Sequence, residues 1–202
     1  MEKLIALTGS ACSGKTTVAK ELAKFGYTRS KFSQTLKNML LQIPGVTEAM
    51  TEGEQKELPQ SILGGKTPRE VMQTLGTEWG RELVTNTIWL DSWERSIEGL
   101  TNVVVEDLRF PNEADLVRKH GGEIWSVRRK GYESVGHSSE TEMVKIKPDI
   151  VIHNDGDISS LRHMLRGVLG MPNVRLINKA AVCAGAEPLF WYPQYVINGQ
   201  RA

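Results

Sequence analysis

Gly9-Ser10-Ala11-Cys12-Ser13-Gly14-Lys15-Thr16 has the form G-x-x-x-x-G-K-T. The apolar run Leu4-Ile5-Ala6-Leu7-Thr8 stands before it, of the kind a buried parallel strand needs. After it, Val18, Leu22 and Phe25 fall on one helical face. Strand, glycine loop and helix together read as a phosphate cradle rather than as a turn that binds nothing. The glycines let the backbone approach a chain of phosphates, and consecutive N–H groups point inward. The helix starting near Gly14 adds the positive end of its dipole. Lys15 supplies a mobile cation for β- and γ-phosphates, and Thr16 a hydroxyl for Mg²⁺. A thiol is not needed for phosphate binding, so Cys12 reads as a space-filler.

The chain has 202 residues, enough for one domain with a lid and a tail. Its formal charge is +1, which predicts no bulk attraction to nucleic acid or to a membrane. Cys12 and Cys183 are its 2 cysteines, and they match no metal or disulfide pattern, which suits a reducing cytoplasm. The chain enters its first strand without a signal peptide, and no apolar run approaches membrane-spanning length.

Apolar strand patterns recur at Val103-Val104-Val105, Glu123 to Val127 and Pro148 to His153, with a short one or a loop at Tyr27 to Ser33. Helical patterns separate them: Gln34 to Leu41, a helix opened by Thr67-Pro68-Arg69-Glu70 and ending at Gly76, Ile88 to Ile97, Pro111 to Gly121, and Ile158 to Leu169. Residues 45–66 are polar and glycine-bearing, a mobile excursion or a small helix over the site. Strands alternating with helices predict an α/β fold with a five-stranded parallel sheet and helices on both faces. Ligands then collect beyond the carboxyl ends of the strands.

That edge holds a second constellation. A carboxylate ending an apolar strand downstream of a phosphate loop is placed to hold Mg²⁺. Adjacent strand residues face opposite ways, so one of Glu106 and Asp107 should meet the metal, Asp107 first and Glu106 second. Arg69, Arg81, Arg109, Arg128 and Arg129 are predicted to converge on the same edge, where their guanidinium forks suit phosphate oxygens. No water-activating residue for hydrolysis is evident, and no Asn-Lys-x-Asp guanine-reading motif follows the fifth strand. Transfer of a phosphoryl group to a bound acceptor is favoured over switch-type hydrolysis.

Four stretches taken together resemble the bacteriophage deoxynucleoside monophosphate kinases. They are Gly9–Thr16, Arg69 to Arg81 (Arg-Glu-Val-Met-Gln-Thr-Leu-Gly-Thr-Glu-Trp-Gly-Arg), Asp107-Leu108-Arg109-Phe110-Pro111-Asn112-Glu113, and His137-Ser138-Ser139-Glu140. The likeness spans roughly residues 3–169. It implies a P-loop, adenylate-kinase-like fold with a lid, and transfer of the ATP γ-phosphate to a deoxynucleoside monophosphate. Position by position, it implies that Gly9 through Thr16, with Thr17, hold ATP, and that Thr16 and Asp107 hold Mg²⁺. Lys15, Asp107, Arg109, Arg128 and Arg129 would be catalytic. Lys37, Arg69, Gln73, Trp79, Arg81, Arg109, Phe110, His137 and Glu140 would bind the acceptor. Where the family often has Phe-Ala-Asp-Pro-Leu-Lys, this chain has Phe32-Ser33-Gln34-Thr35-Leu36-Lys37.

Trp79 would wall in the acceptor base, whereas Trp89 and Trp93, one turn apart, read as core. Asn154 and Asp155 are candidates for the adenine pocket. The domain is expected over 1–170, with a polar closing lid over about 128–147 and a tail over 171–202. The tail's Phe190-Trp191-Tyr192 should either pack back or form a homodimer contact. Small-molecule nucleotides are the expected partners, with no membrane and no stable nucleic acid. The expected location is the cytoplasm, that of an infected bacterial host if the chain is phage-encoded. Two other readings stay open: a P-loop kinase for another acceptor, such as a hydroxymethylated base in DNA, and a non-catalytic ATP-binding regulatory module.

Overall fold

The structure, a computed structural model, describes residues 2–132, 142–143 and 145–171 together with the strand residues 196–197 and 200–201. The elements that carry its sheet are β1 (Lys3–Thr8), β2 (Thr28–Ser30), β3 (Asn102–Val105), β4 (Glu123–Arg128) and β5 (Ile150–His153). They lie in the order β2-β3-β1-β4-β5, all parallel. β1 is central: Ala6 faces Val105 on one side and Ile124 on the other. The expected five-stranded parallel sheet is therefore present. From the tail, Val196–Ile197 pairs antiparallel with β5 and Gln200–Arg201 pairs with Val196–Ile197, so these residues pack back on the sheet's edge. The aromatic run 190–192 and Cys183 lie outside the described residues.

Period-two alternation sorts the strands into two cores. Leu4 and Ala6 of β1, with Val103, Val105 and Ile124, face α5 (Ile88–Ser96) and α6 (Pro111–Lys119). Ile5 and Leu7, with Val104, Trp125, Val127 and Ile152, face α1 (Lys15–Ala23) and α7 (Ile158–Val168). Truncating a fully buried leucine such as Leu22 or Leu165 to alanine costs roughly 2–5 kcal/mol, so this second layer clamps the helix that follows the glycine loop.

A third core lies beside the sheet. Leu36 and Leu40 of α2 (Gln34–Leu41), Val46, Met50 of α3 (Glu48–Thr51), Met72 of α4 (Pro68–Thr74) and Trp89 pack together. Residues 45–66 thus take the small-helix reading: α3 is followed by 3₁₀ turns at Glu54–Glu57 and Ser61–Leu63. α4 starts as expected. Thr67 caps it by accepting from the Glu70 N–H, and the Glu70 carboxylate accepts from the Thr67 N–H in return.

The expected stop at Gly76 is not there. α4 runs on into a π-helix over Leu75–Val84, and Thr85 N donates to Gly80 O across the wider turn. The glycines allow close approach to one ring instead. Gly76 O accepts from Trp89 Nε1 at 2.8 Å, and a Cβ on Gly80 would stand 2.5 Å from the Trp89 ring. Among the described residues, no helix is long and apolar enough to cross a membrane.

Candidate active site

Two cavities open at the carboxyl edge of the sheet, on either side of the end of β1. The first, about 640 Å³, is lined by Thr8, Gly9 and Ser10 where β1 meets the loop, and by Arg128, Arg129 and Asp155 from the ends of β4 and β5. The loop's shape is a backbone property. Gly9 has φ 138° and its missing Cβ would stand 2.2 Å from Val127 O. Gly14 has φ 100°, and a Cβ there would meet Asn154 Nδ2 at 2.1 Å. Both positions lie in the left-handed half of backbone space, which glycine enters without strain.

Lys15 Nζ donates to Gly9 O and Ser10 O, each at 2.7 Å, folding its stem across the loop. Thr16 and Thr17 occupy the first turn of α1, where N–H groups lack helical partners. Among the described residues, the buried Thr8 and Ser13 hydroxyls have no hydrogen-bond partner.

Two expectations for this side need correction. Cys12 fills no space: it is exposed, at φ 60°, on the outside of the loop. Asn154 does not line the cavity. It donates from Nδ2 to Ser13 O at 3.0 Å and so braces the loop from β5. Asp155 does line the cavity and accepts from Lys130 N at 2.6 Å. Arg129 lies over the Tyr132 ring at 5.0 Å. His137 and Glu140 lie outside the described residues.

The second cavity, about 650 Å³, sits above the third core, between α2, α4, the π-helix and the end of β3. Lys37, Arg69, Gln73, Arg81, Arg109 and Phe110, all expected at the acceptor site, line it. The five arginines of the sequence pattern thus divide, three at this cavity and two beside the glycine loop. Trp79 is the exception. Gln73, Thr77 and Arg81 recur every fourth residue on the lining face, and Trp79 falls off it, 38% exposed. Trp89, read as core, is buried and also lines the cavity.

Glu106 and Asp107 do face opposite ways. Glu106 is buried and paired with Arg29 of β2, and its Oε2 has no hydrogen-bond partner among the described residues. Asp107 faces the second cavity, where Oδ1 accepts from Phe32 N at 2.9 Å. Its Oδ2 accepts from Ser33 N at 3.1 Å and Ser33 Oγ at 2.6 Å. The carboxylate therefore ties the start of α2 to the end of β3.

Glu113 and Lys56 also line the cavity, and the sequence did not single them out. Glu113, 3% exposed, accepts from Arg109 N at 2.8 Å, from Phe110 N at 3.1 Å and from Arg81 at 3.1 Å. Burial raises its pKa to about 7, with the Asp107 charge adding, against the pull of those N–H groups and of Arg81. Arg81 also lies over the Phe110 ring at 4.0 Å, so ring and carboxylate together aim its guanidinium. The signal was in view: an acid three residues after Phe110, just past Pro111, is placed to turn back on the helix start. Lys56 gave no such signal. It stands in a polar run and reaches the cavity only because the 3₁₀ turn packs on α3 and α4.

Several of the surrounding cations are paired with carboxylates. Lys37 and Lys31 both donate to Glu52 Oε1 at 2.7 Å, and Arg69 pairs with Glu57. Such a cavity neutralises a bound anion of several charges and grips its oxygens with forked donors.

A family model described as deoxynucleotide monophosphate kinase matches residues 55–165. Both specific stretches, Arg69–Arg81 and Asp107–Glu113, fall within it. A protein of Acanthamoeba polyphaga mimivirus, provisionally named a deoxynucleotide monophosphate kinase, is 34% identical over 174 residues, 77% of this chain and 90% of its own. The deoxynucleoside-5'-monophosphate kinase of Escherichia phage T5 is 46% identical over 55 residues, 26% of this chain and 22% of its own. Among solved structures, dephospho-CoA kinase from Campylobacter jejuni aligns with a TM-score of 0.48 at 13% identity, covering 84% of this chain and 96% of that one.

Proposed function

This chain belongs to the deoxynucleotide monophosphate kinase family, and from that premise we propose that it transfers the γ-phosphoryl group of ATP to the 5'-phosphate of a deoxynucleoside monophosphate. The observation that carries this reading is the division of cations between two cavities at one sheet edge. Lys15, Arg128 and Arg129 stand on the loop side, and Lys37, Arg69, Arg81 and Arg109 on the other. Two polyanions repel one another, and phosphoryl transfer needs them in line and close, so cations must surround the gap.

In this assignment Gly9 to Thr17 cradle the ATP phosphates. Lys15 leaves its two carbonyl partners for the β- and γ-oxygens. Arg81, aimed by Glu113 and Phe110, and Arg69 grip the acceptor phosphate. Arg109 stands between the two nucleotides. Arg128 and Arg129 stabilise the group in flight from the base of a lid over about 128–147, within a catalytic unit spanning 1–170. Closure would exclude water, which otherwise competes as acceptor.

The residues present fit a magnesium ion. Mg²⁺ takes hard oxygen donors and keeps most of its shell for water and phosphate, so it needs one or two protein groups rather than a cage. Among the described residues no cluster of three His, Cys, Asp or Glu side chains is poised for a metal. The Thr16 hydroxyl and Asp107, whose three accepted hydrogen bonds leave lone-pair capacity over, would hold it. An ion held there would supply positive charge against the phosphates.

The test is ADP release with Mg·ATP across all ribo- and deoxyribonucleoside monophosphates. Turnover with one or more deoxynucleotides is expected. Turnover on a polynucleotide alone, or ATP binding with no acceptor-dependent turnover, would replace the reading.

A further inference from the structure

The five cations of the acceptor cavity are not equivalent. Lys37, Arg69 and Arg81 each carry a carboxylate partner, Glu52, Glu57 and Glu113 respectively. Lys56 and Arg109 form no ion pair among the described residues, yet both line the cavity. Lys56 is the more constrained of the two. It is half-buried on the 3₁₀ turn Glu54–Glu57, while Arg109 is exposed.

The groups acting on Lys56 come from every side. Lys37 of α2, Arg69 of α4 and Arg109 beyond β3 repel its charge, and Glu52, just past α3, attracts it. Of the cavity's other carboxylates, Asp107 is bonded to Phe32 and Ser33, Glu113 to Arg81 and two backbone N–H groups, and Glu78 stands exposed on the π-helix. An ammonium held among cations at a cavity wall is unfavourable until an anion joins it.

Resting on the assignment of this cavity to the acceptor, we infer that Lys56 grips the 5'-phosphate of the incoming monophosphate and makes the cavity select a dianionic phosphate monoester over an uncharged nucleoside. The crowding has a measurable companion. Burial first, then Lys37 and Arg69, hold the ammonium at about 8 in the free protein. A bound phosphate favours the charged form, so acceptor binding takes up a proton above that pH and weakens as pH rises further.

The experiment measures acceptor KM, ATP KM and kcat from pH 6.5 to 9.5 for the full chain and for Lys56→Met and Lys56→Arg. Calorimetric binding of the same deoxynucleoside monophosphate without ATP accompanies it. At pH 7, Lys56→Met should raise acceptor KM and Kd by roughly 10- to 100-fold, the loss of one charge-assisted contact, with ATP KM within about twofold. The alkaline rise of acceptor KM should flatten in Lys56→Met. Lys56→Arg, which stays charged, should restore binding and keep it tight at pH 9. A Lys56→Met protein that binds and turns over the acceptor like the parent overturns this inference and leaves the kinase reading standing. Lys56-dependent binding with no turnover of any acceptor supports the grip and overturns the kinase reading instead.

Discussion

The two halves of the site are built by different means. On the loop side the shape comes from the backbone: two glycines at positive φ, a helix start, and a lysine folded onto its own loop's carbonyls. On the acceptor side the shape comes from side chains that meet across long sequence separations: Arg81 with Glu113, Asp107 with Phe32 and Ser33, Lys37 with Glu52. A backbone site tolerates almost no change of shape, whereas a side-chain site can be retuned one pair at a time. Loss of a loop group should therefore stop the reaction, and loss of an acceptor-side group should move recognition.

The largest effect expected is for Lys15→Ala. kcat should fall on the order of 10³-fold, as when one preorganised charge is removed from a transition state. Thermal unfolding should change by less than about 1 kcal/mol, since the ammonium is part-buried at the mouth of the loop and its contacts to the Gly9 and Ser10 carbonyls can be replaced by water. Residual activity within tenfold of the parent would remove the loop from the chemistry.

Next comes Arg81→Ala, expected to raise acceptor KM by roughly 10- to 100-fold, the loss of a bidentate charged contact. ATP KM should stay within about twofold; equal shifts in both would erase the division between the halves. For Gly14→Ala the readout is stability, with a loss of roughly 1–3 kcal/mol in urea unfolding, because φ is 100° and Asn154 stands where the methyl would go.

A subtler difference lies in pH. Glu113 is raised to about 7 in the fold, against an ordinary glutamate near 4.5. Between these values the native chain holds a proton that the unfolded chain has released. Stability contributed by this group is therefore greatest at low pH, falls from about 4.5 to about 7, and is level above. Unfolding measured at pH 5 and pH 7.5 should show that slope in the parent and lose it in Glu113→Gln. A parent whose stability rises over this window would mean that the Arg81 pair outweighs burial. The smallest effect is reserved for Trp79→Ala, since the indole lies off the cavity face: acceptor KM should move less than twofold.

What could be read from the chain follows the same division. The Gly9–Thr16 stretch is legible because neighbouring residues in sequence are neighbours in space, and glycine spacing states the geometry directly. The parallel sheet was legible for a similar reason, since Val103-Val104-Val105 is buried on both faces. The second cavity was legible only where a motif carried it, at Lys37, Arg69, Gln73, Arg81, Arg109 and Phe110. Lys56 was hidden because a polar run looks the same whether it faces solvent or a cavity. Trp79 falls off the lining face because a π-turn advances by a different angle from an α-turn, whereas Trp89 is core as expected and borders the cavity as well. Gly76 looked like the end of a helix, and with Gly80 became a contact point for a ring only once the fold had brought Trp89 to them.

Strand β1 ends in the glycine loop, and its hydrogen-bonded neighbour β3 leads straight into Asp107. The two cavities are thus tied to adjacent strands, whose separation, about 4.8 Å, is among the least adjustable lengths in any protein. Surface insertions, new loops or an altered lid can change which molecules arrive and how long they stay. The gauge of the track along which phosphorus moves was laid down with the first backbone pairing.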